Sequence, residues 1–257
     1  MLATDGVRGM NDSSAAAVLA VAADARPADW VVAGLRGHAY DVGAIVPATF
    51  EAYARVFHPA LRDEGGRAVE VRWADVARAN GRVMHPAAEW GSITGSWDYQ
   101  YRRSQPGLWD HPPCTGELPA AAAARLAAAL TDFTGVPGRC WFAVWEGFGG
   151  LAPAWTSAPR FDIPGRRMLL LSGPATAAAI SLAAQSWISR SASLWWPDDH
   201  AWCVGTDIDL MTTYVGASAR CVERLLAEAT LEILPVSAGQ PVTWDSDTIN
   251  PQPPAPR

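Results

Sequence analysis

Apolar positions fall into blocks of two kinds along this chain. Residues 117–135, ELPAAAAARLAAALTDFTG, and 218–229, SARCVERLLAEA, repeat at helical spacing, with Pro119 opening the first and Gly135 closing it. RCWFAVWEG (139–147), AWCVGTDID (201–209), TYV (213–215) and LEILPV (231–236) are short and carry β-branched or aromatic residues, and RRMLLLSGP (166–174) is a short apolar run bounded by Gly and Pro; all read as strands. RCWFAVWEG has no polar face, which suits a central strand covered on both sides. ATAAAISLAAQSWI (175–188) is apolar nearly all round and predicts a buried helix.

The first half of the chain is patterned less sharply. Residues 13–25 predict a capped helix ended by Pro27. VGAIVP and EAYARVF, between Val42 and Phe57, predict a hairpin closed by His58 and Pro59. Residues 70–81 read as a strand end running into a short helix that Gly81 stops. Residues 91–116 carry Trp97, Tyr99, Tyr101, Trp109 and three prolines without periodicity, so they predict a long aromatic loop, and NPQPPAPR closes the chain as an extended tail. Several strands are joined too closely for crossover helices. The expected fold is therefore α+β, a mainly antiparallel or mixed sheet with flanking helices. It forms one domain over 1–250, with a candidate division into 1–90 and 117–250 across the aromatic loop, and a flexible Pro-rich tail at 251–257.

Composition narrows the function. All 20 basic residues are arginine, and the formal net charge is −6. Without a basic run the chain lacks the phosphate-neutralising patch that nucleic-acid binding needs. Without lysine it cannot be a Walker P-loop nucleotide binder, a protein kinase, an SxxK acyl enzyme or a Schiff-base enzyme. GFGG (147–150) follows a strand, as a dinucleotide fingerprint should, but Pro153 interrupts the helix that would hold the pyrophosphate. HExxH, GxSxG and CxxC are absent. Four unpaired cysteines, Cys114, Cys140, Cys203 and Cys221, suit a reducing compartment, hence a cytoplasmic location. Residues 13–25 lack the basic n-region of an export signal, and no apolar run reaches the roughly 18 residues of a membrane span.

The candidate chemistry concentrates in LWWPDDHAWCVGTDIDLMTTYVG, residues 194–216. An extended 202–209 puts Cys203, Gly205, Asp207 and Asp209 on one face, with Trp202, Val204, Thr206 and Ile208 on the other. The two carboxylates then ligate a hard cation, act as an acid/base pair, or cap a turn at the strand's end. Glu146, emerging after CWFAVW, and His200 are further catalytic candidates. A soft-metal set of His200, Cys203, Cys221 and Cys140 is a weaker one. Tryptophan is the compositional outlier, with 13 residues. Trp73, Trp141, Trp145, Trp187 and Trp202 fall in elements and read as core. Trp90, Trp97, Trp109, Trp195 and Trp196 read as loop residues that, with Tyr99 and Tyr101, line a ligand cleft or grip a partner.

YARVFHPA (53–60), CWFAVWEG (140–147), WWPDDHAWCVGTDIDLMTTYVG (195–216) and DSDTIN (245–250) together resemble a family of uncharacterised bacterial proteins. The resemblance spans most of the chain and implies one soluble cytoplasmic unit. It implies no activity, cofactor or catalytic residue. Three functions follow as expectations. The leading one is a non-catalytic binding or immunity-type module recognising a protein or peptide through loop aromatics and acidic residues. The others are a metal-assisted hydrolase using Asp207, Asp209 and Glu146, with His200 as a further candidate, and a small-molecule-binding accessory protein. No cofactor, nucleic acid or membrane partner is expected.

Overall fold

A computed structural model describes residues 18–96 and 104–253. Among them are eleven strands, all paired antiparallel, and five α-helices, which makes an α+β protein. Nine strands form one sheet in the order β1-β7-β5-β8-β9-β10-β2-β11, with β6 also paired to β7. These are β1 (Ala20–Val21), β2 (Ala52–Phe57), β5 (Cys140–Trp145), β6 (Arg160–Ile163), β7 (Arg166–Gly173), β8 (Leu194–Pro197), β9 (Trp202–Thr206), β10 (Thr212–Ala217) and β11 (Glu232–Val236). β3 (Ala60–Glu64) and β4 (Arg67–Val71) form a separate hairpin. The helices are α1 (Asp29–Gly34), α2 (Trp73–Ala79), α3 (Trp90–Thr94), α4 (Ala120–Thr131) and α5 (Ala219–Leu226).

Side chains alternate across the pleat, so each central strand feeds two cores. Trp202 and Val204 of β9 join Phe142, Val144 and Trp195 beneath α4 and α5, whose alanines and leucines let the helices lie close to the sheet. Cys203, Trp196, Ala143 and Tyr214 point the other way, onto an irregular cover made of α1 and residues 42–50. That cover sits tightly on the strands because the sheet offers it glycine. A Cβ on Gly205 would lie 2.8 Å from the Ile45 carbonyl oxygen, and one on Gly216 would lie 2.4 Å from the Phe50 ring. A third cluster, built from Phe57, Trp73, Val76, Trp90, Ile93 and Trp109, extends this second face beneath α2, α3 and the small hairpin.

Several elements differ from the sequence expectation. Residues 20 and 21 are not helical: they pair with Leu171 and Ser172, the part of β7 that β6 leaves open. Residues 42–57 are not a hairpin. Val42–Ala44 is a 3-10 turn capped by the Asp41 side chain, which accepts from the Ala44 amide at 3.1 Å, and β2 takes its partners from β10 and β11 instead. The helix expected over 175–188 is a 3-10 turn at Ala175–Ala179. Beyond it the chain folds back on itself, with Ser181 Oγ accepting from the amides of Ala183 and Arg190. Trp187, read as core, is 82% exposed on that loop.

Candidate functional site

The expected strand at 201–209 stops at Thr206, and Asp207 begins the turn to β10. Its carboxylate accepts from the Asp209 amide at 3.0 Å, and its carbonyl accepts from the Leu210 amide at 3.1 Å. Of the three roles open to these carboxylates, turn capping is the one their hydrogen bonds fill. Asp207 is also bound through both oxygens by Arg166, at the start of β7, with one contact of 3.0 Å. Asp209, 81% exposed along its side chain, stands 3.6 Å from the same guanidinium. Among the described residues no group of three or more His, Cys, Asp or Glu side chains is placed to hold a metal.

The other sequence candidates do not join them. Glu146 pairs with Arg160 on the surface at 2.7 Å, away from Asp207. His200 is exposed and holds a left-handed backbone (φ 57°), with its ring stacked 4.3 Å from that of Trp30. Burial against Trp30's side of the sheet pushes its pKa down, opposed by Asp198 and Asp199. The soft-metal set is split by the sheet, since Cys203 faces one core while Cys140 and Cys221 face the other. Burial raises all three thiols, Cys140 and Cys221 to about 12, so none is a ready thiolate ligand. Trp195 and Trp196 are not loop residues. They lie in β8, 2% and 0% exposed, one in each core, because a strand buried on both faces places adjacent large side chains on opposite sides. Trp109 is 0% exposed in the third cluster. Trp97, Tyr99 and Tyr101 lie outside the described residues.

What the fold does create is a cleft of about 700 Å³ on the second face, at the end of the β9–β10 turn. Its wall includes that turn, the β6–β7 turn at Ile163–Arg166, the cover at Gly37–Ile45, Glu89–Gly91 and Val242–Trp244. Exposure grades from the mouth, where Tyr40 and Trp244 stand 68% and 62% exposed, to the depth, where Trp73 and Trp90 are 1% and 3% exposed. Tyr40 holds a left-handed φ of 50°, which costs a non-glycine residue about 1–2 kcal/mol. It is pinned there by the Val242 amide on its carbonyl at 3.0 Å.

Glu89 is the residue that sequence reading missed. Its Oε1 accepts from Arg55 at 2.9 Å and from Ser246 at 3.2 Å, while Oε2 has no hydrogen-bond partner among the described residues. Burial pushes its carboxyl above the usual range, and the Arg55 guanidinium opposes that shift. Arg55 comes from β2. The alternation of AYARVF aims it at the second face beside Tyr53 and Phe57, where it is 2% exposed. Its guanidinium donates to the Pro86 carbonyl at 2.9 Å and lies 4.8 Å from the centre of the Phe57 ring. Asp247, fully buried, holds the segment beside Glu89. It accepts from Asn250 Nδ2 at 2.9 Å and contacts His85 Nε2 at 2.8 Å. A charged residue inside an apolar strand motif was the available signal for this network.

Fold and cleft together define the class: an α+β protein whose nine-stranded antiparallel sheet is covered by α4 and α5 on one face and by α1, α2, α3 and irregular segments on the other, where a largely apolar cleft opens. No family model, no curated protein and no solved structure matches the chain. Among the described residues no helix is long and apolar enough to cross a membrane.

Proposed function

We propose that the protein binds a small organic molecule in the cleft between the Tyr40–Trp244 mouth and Glu89. The carrying observation is the combination of size and lining. A cleft of about 700 Å³ has apolar and aromatic walls, and a few polar groups converge in it from segments far apart in sequence. Small-molecule sites typically enclose about 300–1,000 Å³ with this make-up. The third expectation drawn from the sequence is thus the best supported, with a different set of residues. Protein or peptide recognition loses three of its motivating tryptophans, since Trp109, Trp195 and Trp196 fill cores. Metal-assisted hydrolysis loses its convergence, since Glu146 and His200 lie outside the cleft wall.

The test is a metabolite library screened by thermal melting and by quenching of tryptophan fluorescence. A ligand at 100 times its Kd should add about 2.7 kcal/mol of stability, a rise of a few degrees in Tm. Trp244→Ala, which removes a ring at the mouth, should weaken that ligand, read as a smaller rise in Tm above the variant's own unliganded value. A library that shifts neither signal, or hits indifferent to Trp244→Ala, would reject the reading.

A further inference from the structure

If the cleft is a ligand site, the charges around it say what enters. Among the described residues four carboxylates line it, Asp41, Glu89, Asp207 and Asp209, and Arg166 is the only arginine in the lining. Arg166 is already committed to Asp207 and Asp209. Behind the wall, Arg36 pairs with Asp41 at 2.9 Å and Arg55 with Glu89 at 2.9 Å. Among the described residues one carboxylate therefore stands in excess, and no arginine in the wall is left to receive an anion. The remaining basic side chain, His38, is exposed at the mouth.

The Glu89 carboxylate points the same way: among the described residues nothing donates to its Oε2. Trp90 also lines the cleft and is 3% exposed; its buried indole N–H has no partner among the described residues and is a donor, suited to a ligand acceptor rather than to a charged nitrogen. The guanidinium of Arg55 is 2% exposed and holds Glu89 from behind, so it fixes the carboxylate without occupying its open oxygen. Aromatic rings at the mouth attract cations through their electron-rich faces.

We infer that the ligand is a monocation, an organic amine or amidine on an apolar body, with its charged nitrogen donating to Glu89 Oε2 and the body held between Tyr40 and Trp244. This rests on the cleft being a ligand site. A charge-assisted hydrogen bond to a largely desolvated carboxylate is worth more than ten-fold in affinity over its neutral counterpart. A phosphate or carboxylate ligand would meet the Glu89 carboxylate in that position and be repelled.

The experiment uses matched triads of amine, alcohol and carboxylate on the same phenylalkyl, cyclohexylalkyl or indolylalkyl body, with binding read by saturation-transfer NMR and calorimetry on the full chain. The amine of a triad should bind at least ten-fold more tightly than its alcohol, and the carboxylate should not bind. Glu89→Gln keeps shape and hydrogen-bonding capacity and should reduce the amine's advantage to under three-fold while leaving the alcohol unchanged. Asp209→Asn, at an exposed position, should weaken the amine two- to three-fold at low salt and less at high salt, with the fold checked by an unchanged urea midpoint. Alcohols or carboxylates binding as well as amines would overturn the monocation and leave the cleft as a site. No binding by any triad member would overturn both.

Discussion

Arg55–Glu89 and Arg160–Glu146 are the same ion pair by chemistry, with contacts of 2.9 and 2.7 Å, yet their surroundings differ completely. The side chains of the first pair are 2% and 16% exposed, and those of the second 43% and 35%. Glu146 sits where its strand ends at the surface, and water screens whatever its partner contributes. Glu89 sits on a short segment entering α3, desolvated, with one oxygen tied to a buried arginine and the other open toward a cleft. A carboxylate becomes a candidate for function when the fold strips it of water and leaves an acceptor unused, not when it stands at a strand terminus. Sequence reading chose Glu146 on position, whereas the tertiary structure points to Glu89 on environment.

Breaking the two pairs separately is the strongest test of this contrast. Arg55→Met leaves a buried carboxylate uncompensated and should lower stability by about 3–5 kcal/mol, read from urea midpoints at pH 7. Arg160→Met should cost less than about 1 kcal/mol. Similar losses from the two would erase the distinction.

The next largest effect is a pH dependence arising at the end of β2. His58, buried, contacts the Cys114 carbonyl and Thr213 Oγ1, each at 2.8 Å; burial, despite the Cys114 hydrogen bond, lowers its pKa to about 4. The unfolded chain takes up this proton near pH 6.5 and the folded chain only near 4. Stability should therefore fall by about 3 kcal/mol as pH drops through that window. Glu89 works in the opposite sense, because its raised pKa makes the folded chain the better proton acceptor. Its contribution is complete below the ordinary carboxylate value and is lost as pH rises through the raised one. Denaturation of wild type and His58→Gln at pH 7 and pH 4.5 should show the slope reduced in the variant; equal slopes would place the acid sensitivity elsewhere.

Smaller effects sharpen the boundary of the cleft. Tyr40→Gly relieves a left-handed backbone and should raise stability by about 1 kcal/mol while weakening any cleft ligand, since the ring at the mouth is gone. A gain in stability with unchanged affinity would detach Tyr40 from the site. Glu146→Gln should change stability by less than about 0.5 kcal/mol and leave ligand affinity where it was. An affinity loss there would restore the sequence candidate.

Much of the architecture was readable from local pattern. The helix expected over 117–135 forms at Ala120–Thr131, the apolar run 139–147 forms β5, and alternation through 202–206 divides Trp202 from Cys203 between two cores. Patterns failed where the deciding partner was distant. The alanines of 175–188 favour a helix, but Ser181 captures the amides of Ala183 and Arg190 and turns the chain back. Consecutive tryptophans at 195 and 196 resemble a loop pair until strands on both sides bury them.

Charge, residue inventory and hydrophobic period belong to the chain wherever it folds, and they alone determined the lysine-free chemistry, the strand-rich α+β class and the exclusion of phosphate-cradling motifs. Which carboxylate loses its water, which arginine answers it and which aromatics are left at a mouth depend on desolvation and distance between segments such as 55, 89, 166, 207 and 244. Those quantities come into being only when the sheet brings the segments together, so the cleft and its open Glu89 oxygen were decided by the tertiary structure.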